Sequence, residues 1–232
     1  MSDPLDLSQN LLQVRTELEA FCQRYERNPA EVNLLAVSKT KPMEMITAMA
    51  ALGQRDFGEN YLQEAQGKVD ELTSLGLCWH FIGAIQSNKT RAIAERFDWV
   101  HTVASAKVAR RLSDQRPEGR VPINVCLQVN IDEDPNKAGL SVDQTAELIK
   151  PISSLPNLRL RGLMTMPAIS ASLEDQRKPF SRLRQLQQQL AEDFELPEFD
   201  QLSMGMSGDL EAAIAEGATW VRIGTALFGA RN

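Results

Sequence analysis

Lys39 closes the run NLLAVSKT, residues 33 to 40, in which four apolar side chains in succession lead to an amine. A short run rich in branched residues reads as a strand covered on both faces, and such strands belong to parallel α/β sheets. In those sheets chemistry gathers at the carboxyl ends of the strands. Partial desolvation there lowers the pKa of a lysine and leaves a neutral amine able to form a Schiff base with an aldehyde. The plainer alternative is that Lys39 marks where a strand re-emerges into water.

Two clusters far along the chain bear on that choice. Gly205, Ser207 and Gly208 precede a helix-forming stretch, and Gly224 and Thr225 leave an apolar one. Both loops offer close backbone approach, hydroxyl donors and a helix N-terminus, the parts from which a phosphate site is built. Singly, Ser207 could only cap its helix and Gly224 only turn the chain. Asp209 and Glu211 in the first helical turn complement the helix dipole and argue mildly against a strongly anionic ligand. Arg222 shares one face of its strand with Trp220 and Gly224. A guanidinium on that face needs a partner, either a carboxylate such as Glu59 or a ring nitrogen of a bound ligand. Asn60 and His80 carry the same ambiguity, since each could simply satisfy core hydrogen bonds.

The positioning elements follow from hydrophobic periodicity. Leu5 to Arg27 places Leu11, Val14, Leu18, Phe21 and Cys22 three or four apart, an amphipathic helix with Asp6 and Ser8 as candidate caps. Strands are predicted at Asn33 to Thr40, at RDFGEN ending at Gly58, and at Trp79 to Gly83, Trp99 to Val103, Ile123 to Asn130, Leu158 to Met166, Gln201 to Gly205 and Trp220 to Gly224. Helices between them are predicted at Met43 to Leu52, Tyr61 to Leu75, Asn88 to Phe97, Ala104 to Gln115, Val142 to Ser153, Lys178 to Asp193 and Asp209 to Glu216. Eight strands with seven helices between them, preceded by one extra helix, match the alternation of a single (β/α)8 TIM barrel spanning residues 1–232. An open doubly wound sheet is weakened by the lack of a Gly-rich dinucleotide fingerprint after the first strand. In a barrel, Lys39, Glu59 and Asn60, His80 within strand three, Met164 to Met166, Ser203 to Ser207 and Arg222 to Thr225 all fall towards one mouth, and strands one and eight become neighbours.

Composition sets the outer bounds. A hydrophobic fraction of 43% and a charged fraction of 24% are those of an ordinary soluble domain. A formal charge of -6 argues against general nucleic-acid affinity. Cys22, Cys78 and Cys126 are odd in number and widely separated, which gives no disulfide framework and suggests a reducing compartment. With only His80 and His101, and no Cys-His spacing typical of zinc sites, a metal centre is not expected. No signal segment or membrane span is visible, so the expected location is the cytoplasm.

An imine-forming lysine, a phosphate cradle and a ring of polar residues suit pyridoxal 5'-phosphate (PLP), which carries an aldehyde and a phosphate on one ring. A Schiff-base aldolase for a phosphorylated sugar would use similar parts. The segments AVSKTKP (36 to 42), FGENYLQE (57 to 64), WHFIGAIQSNK (79 to 89), GLMTM (162 to 166), LSMGMSGDLEAAI (202 to 214) and RIGTALFGAR (222 to 231) closely resemble the pyridoxal phosphate homeostasis proteins. These in turn resemble the barrel domain of alanine racemase without its second domain. The resemblance implies that Lys39 holds PLP as an internal aldimine, that Ser207, Gly224 and Thr225 bind its phosphate, that Arg222 faces the pyridine nitrogen, and that Asn60 lies near the ring hydroxyl. It makes His80 and Met206 pocket neighbours. The chain departs from the common family pattern at Gly208, where an acidic residue is frequent, and at Ala84 and Ile85.

The implied role is cofactor and amino-acid homeostasis without an assigned catalytic residue, with PLP-dependent apoenzymes as recipients and a monomeric state. The rival enzymatic readings are an amino-acid racemase of the alanine racemase type and a Schiff-base aldolase. Racemases of that type take a catalytic tyrosine from the second domain, and neither Tyr25 nor Tyr61 is an evident substitute.

Overall fold

A computed structural model describes residues 4–168 and 170–229. Eight parallel strands close into a barrel in chain order, β1 (Asn33–Val37), β2 (Asp56–Glu59), β3 (Cys78–Phe81), β4 (Trp99–Val103), β5 (Ile123–Gln128), β6 (Leu158–Met164), β7 (Gln201–Ser203) and β8 (Trp220–Ile223). β1 completes the ring by pairing on both sides, Ala36 with Phe57 of β2 and Leu35 with Arg222 of β8. The strands are shorter than the sequence predicts at their carboxyl ends. Thr165 and Met166 lie beyond β6, and Met204 and Gly205 beyond β7, because Gly205 turns the chain with φ +94.

Helices follow the predicted alternation, with α1 (Pro4–Arg24) in front, then α2 (Met43–Ala51), α3 (Leu62–Glu71), α4 (Thr90–Arg96), α5 (Ala106–Gln115), α6 (Val142–Ser153), α7 (Leu173–Asp193), α8 (Leu210–Ala215) and the single turn α9 (Thr225–Phe228). α1 begins at Pro4, so Asp6 and Ser8 fall inside the helix and do not precede it as caps. α6 keeps its predicted bounds because Ser141 and Gln144 form a reciprocal capping box. α7 starts five residues earlier than predicted, since the Ser172 side chain accepts the Asp175 N–H, and Pro179 is carried within the helix.

The core has two parts, as alternation along each strand requires. Outward residues such as Ala36, Phe57, Phe81, Val100, Leu163 and Val221 pack against the helices, where α7 contributes Phe180, Leu183, Leu186 and Leu190 from one face. Full burial of each such side chain contributes about 1.5–3 kcal/mol. Inward residues form a smaller cluster, including Leu35, Val37, Ile82, Trp99, Cys126, Met164 and Trp220. α1 lies over α8 and α9 with Leu7, Leu11, Val14, Leu18 and Cys22 buried, and Arg27 caps the end of α8 by donating to Ile214 O at 3.2 Å and, beyond the helix, to Ala218 O at 2.7 Å.

Candidate functional site

The carboxyl mouth gathers the loops after β1, β2, β7 and β8. Lys39 stands half-buried two residues past β1. On the same loop, Lys41 donates from Nζ to Phe228 O at 3.1 Å and Gly229 O at 3.0 Å, which ties the β1 loop to the end of α9. Gly224 caps α9 beside Val37, where a Cβ on the glycine would stand 3.5 Å from the valine Cβ and carbonyl oxygen. The loop carrying Thr225 and the loop carrying Lys39 are therefore in direct apposition, as barrel closure requires.

The loop after β7 is shaped by Gly205. Its φ of +94 disfavours other residues, and a Cβ would meet the Ala213 Cβ at 2.4 Å. Beyond it Met206, Ser207 and Gly208 are exposed, and the Met206 N–H donates to Asp209 Oδ1 at 2.5 Å. Burial pushes the Asp209 carboxyl up despite that backbone hydrogen bond. Glu211 turns away to α1, accepting from Arg24 Nη1 at 2.5 Å and Tyr25 O–H at 2.9 Å. Of the acidic pair that argued against an anion, Glu211 is thus engaged by α1 and its next residue, and Asp209 by the Met206 N–H.

Asn60 follows β2, and its backbone carbonyl presses on Gly83 so closely that a Cβ there would fall 1.9 Å from it. The Asn60 side-chain oxygen is buried and has no hydrogen-bond partner. Such a group costs free energy until something donates to it.

Arg222 lies inside the barrel, 4% exposed. Nη1 donates to Ser203 Oγ at 2.9 Å and Nη2 to Thr165 O at 2.9 Å. Burial lowers its pKa to about 10, with Asp209 and Cys126 opposing. Glu59 is not its partner. It faces outward from β2, where Oε1 accepts from Lys68 Nζ of α3 at 2.8 Å and from Ser38 Oγ at 2.7 Å. The alternation that turns Arg222 inward turns Glu59 the other way.

His80 is wholly buried deeper in the interior, among Trp99 and Trp220, which begin β4 and β8. It does not reach the mouth directly. Its Nδ1 lies 3.0 Å from His101 Nε2, and His101 Nδ1 lies 2.7 Å from Ser203 Oγ, the acceptor of Arg222. Below, His80 Nε2 lies 3.1 Å from Asp56 Oδ1. Burial holds both imidazoles below their ordinary pKa, so both are neutral near pH 7. An ionised Asp56 can only accept, which makes His80 the donor from Nε2, His101 the donor from Nε2 and Ser203 the donor to His101. A polar chain thus runs through the barrel from Arg222 to the amino-terminal rim. Ser203 and His101 were not singled out as partners of Arg222; their signal is a polar residue at an inward position of an otherwise apolar strand.

The sequence matches the family of the alanine racemase N-terminal domain over residues 10–232. The pyridoxal phosphate homeostasis protein of Pseudomonas aeruginosa is 55% identical over 226 residues, covering 97% of this chain and 96% of its own. That of Escherichia coli is 47% identical over 235 residues, covering 98% and 97%. Among solved structures, PipY of Synechococcus elongatus with PLP bound superposes with a TM-score of 0.85 at 37% identity, covering 96% of this chain and 100% of PipY.

Proposed function

The chain belongs to the pyridoxal phosphate homeostasis protein family, and from that premise we propose that it binds PLP at the carboxyl mouth of its barrel and serves the cell's supply of the cofactor and its amino-acid balance. The observation that carries this reading is Arg222, a guanidinium buried inside the barrel and hydrogen-bonded to a hydroxyl and a carbonyl with no carboxylate ion pair among the described residues. A buried cation so placed suits a neutral ring nitrogen. The buried, unpartnered oxygen of Asn60 suits a ring hydroxyl that donates to it.

When bound, PLP supplies an aldehyde that bonds to an amine and a ring that can take up electron density. Lys39 supplies that amine from the loop after β1. Ser207, Gly224 and Thr225 hold the phosphate with hydroxyls and the free backbone N–H groups of their turns. Met206 covers the pocket beside Ser207. Arg222 faces the ring nitrogen and disfavours its protonation, which makes the ring a weak electron sink and favours holding the cofactor over carbanion chemistry. His80 acts at one remove, through His101 and Ser203.

On this reading residues 1–232 work as one monomeric barrel domain in the cytoplasm, without a robust reaction, and pass PLP to apoenzymes that need it. The test is the visible spectrum of purified protein after incubation with PLP. Wild type should show the absorbance of lysine-bound cofactor and Lys39→Ala should not. A wild type without the band, or a variant that keeps it, overturns the assignment.

A further inference from the structure

The amino-terminal rim of the barrel, opposite the mouth, holds a second set of groups. Asp56 and Cys78 begin β2 and β3 and are paired in register, while His80 lies two residues after Cys78 on the same inward face. His80 Nε2 stands 3.1 Å from Asp56 Oδ1 and 3.3 Å from Cys78 Sγ, and one ligand atom from each of the three lies within 4.8 Å of the others. We propose that Asp56, Cys78 and His80 form a binding site for a zinc-type divalent cation, with a fourth position open to water.

The donor set, one thiolate, one imidazole and one carboxylate, is that of tetrahedral zinc. Bonds of about 2.0–2.3 Å place neighbouring ligand atoms of a tetrahedron about 3.3–3.6 Å apart, so the two separations from His80 Nε2 need to open by only a few tenths of an ångström. The two-strand ladder fixes the three side chains relative to one another, and Asp56 keeps 30% of its side chain exposed, which leaves a path for the ion. The outer shell is in place as well. His80 Nδ1 is held by His101, which is held in turn by Ser203, the arrangement that orients a metal-binding imidazole. A second carboxylate lies close by, since Asp98 accepts from the Trp79 N–H at 2.9 Å, so the local charge favours a cation.

The protons balance. The ion displaces the Cys78 thiol proton to solvent, and the His80 proton moves from Nε2 to Nδ1. His101 then donates to Ser203, whose oxygen has lone pairs for both His101 and Arg222. Spacing along the chain gave no sign of a metal centre, since Asp56 lies 22 residues before Cys78 and only the β2–β3 register brings them together.

The inference does not depend on PLP, and its test reads the metal directly. Purified wild type is titrated with Zn2+ against a chromophoric chelator, and the zinc-loaded protein is examined by zinc K-edge X-ray absorption. One ion per chain is expected, with a single sulfur at about 2.3 Å and lighter atoms at about 2.0–2.2 Å. Cys78→Ser and Asp56→Asn should each weaken binding by more than tenfold. Failure of wild type to compete for zinc, a spectrum without sulfur, or unchanged affinity in Cys78→Ser overturns the proposal. The wild-type spectrum decides the matter even if a variant does not fold.

Discussion

Lys68 Nζ and Glu59 Oε1 lie 2.8 Å apart with both side chains buried, an ion pair that locks α3 onto the end of β2 just before Asn60. Lys68 also donates to Ser38 O at 2.8 Å and to Glu64 Oε1 at 2.5 Å, so one ammonium joins the loop that carries Lys39 to the end of the strand before Asn60. Removing one partner leaves a charge buried without compensation. Lys68→Met should therefore lower the unfolding free energy by about 3–5 kcal/mol, while the double change with Glu59→Gln should recover part of it. Urea denaturation of wild type and the two variants checks both statements.

The same pair yields a pH dependence. Burial outweighs Lys68 and Ser38 and raises the Glu59 carboxyl above its ordinary value, and its second oxygen has no partner. The native state then binds this proton more tightly than the unfolded chain does. Stability contributed by Glu59 is present below its ordinary pKa, falls as pH rises through the raised one, and is level above it. The difference in urea midpoint between wild type and Glu59→Gln should shift against wild type as pH rises from 4 towards 7. A difference independent of pH would show that the native carboxyl is not raised.

Ser203 is the shared partner of Arg222 and His101. Ser203→Ala removes the acceptor of one guanidinium N–H and the donor to a buried imidazole, at a cost of about 1–3 kcal/mol for the groups left unsatisfied. If Arg222 faces the ring of PLP, the same change should also weaken cofactor binding several-fold by loosening the guanidinium. Chemical denaturation and a PLP titration followed by absorbance separate the two effects.

Much of the frame was legible in the sequence because each strand is short, apolar and bounded by punctuation, and the eight-fold alternation left little choice of topology. The inward position of Arg222 followed from a period of two. What sequence could not supply was pairing across the barrel. Glu59 was a reasonable partner for Arg222 on type alone, yet strand alternation turns it to α3. His80 was placed with the pocket, yet it sits among Trp99, Trp220 and Asp56 because β3 enters the barrel there. Asp56 and Cys78 became neighbours only through strand register. α7 begins upstream of its predicted start at Lys178 because the Ser172 side chain caps it there, and Pro179 is carried inside the helix.

Gly205→Ala tests the loop before the turn proposed to hold the phosphate. Alanine there must adopt φ +94 and place its Cβ 2.4 Å from that of Ala213, so the loop must move. A loss of more than about 1 kcal/mol in stability is expected from the backbone strain alone. Because Met206 to Gly208 follow directly, phosphate affinity should fall as well. A titration with PLP and one with pyridoxal, which lacks the phosphate, should show the loss for PLP only.

The racemase reading makes the opposite demand on the chain. Moving a proton at the α carbon of an amino acid between two faces needs a base on each face of the cofactor ring, and Lys39 can serve only one. Tyr25 is engaged on α1 with Glu211, and Tyr61 caps α3 with half its surface exposed. Arg222, in its proposed place at the ring nitrogen, would further weaken stabilisation of the carbanion. Incubation of PLP-loaded protein with amino acids in deuterium oxide should give no α-deuterium incorporation above that of free PLP across a broad panel. Incorporation that is abolished in Lys39→Ala would establish an enzyme and would require a second base from outside the residues named here.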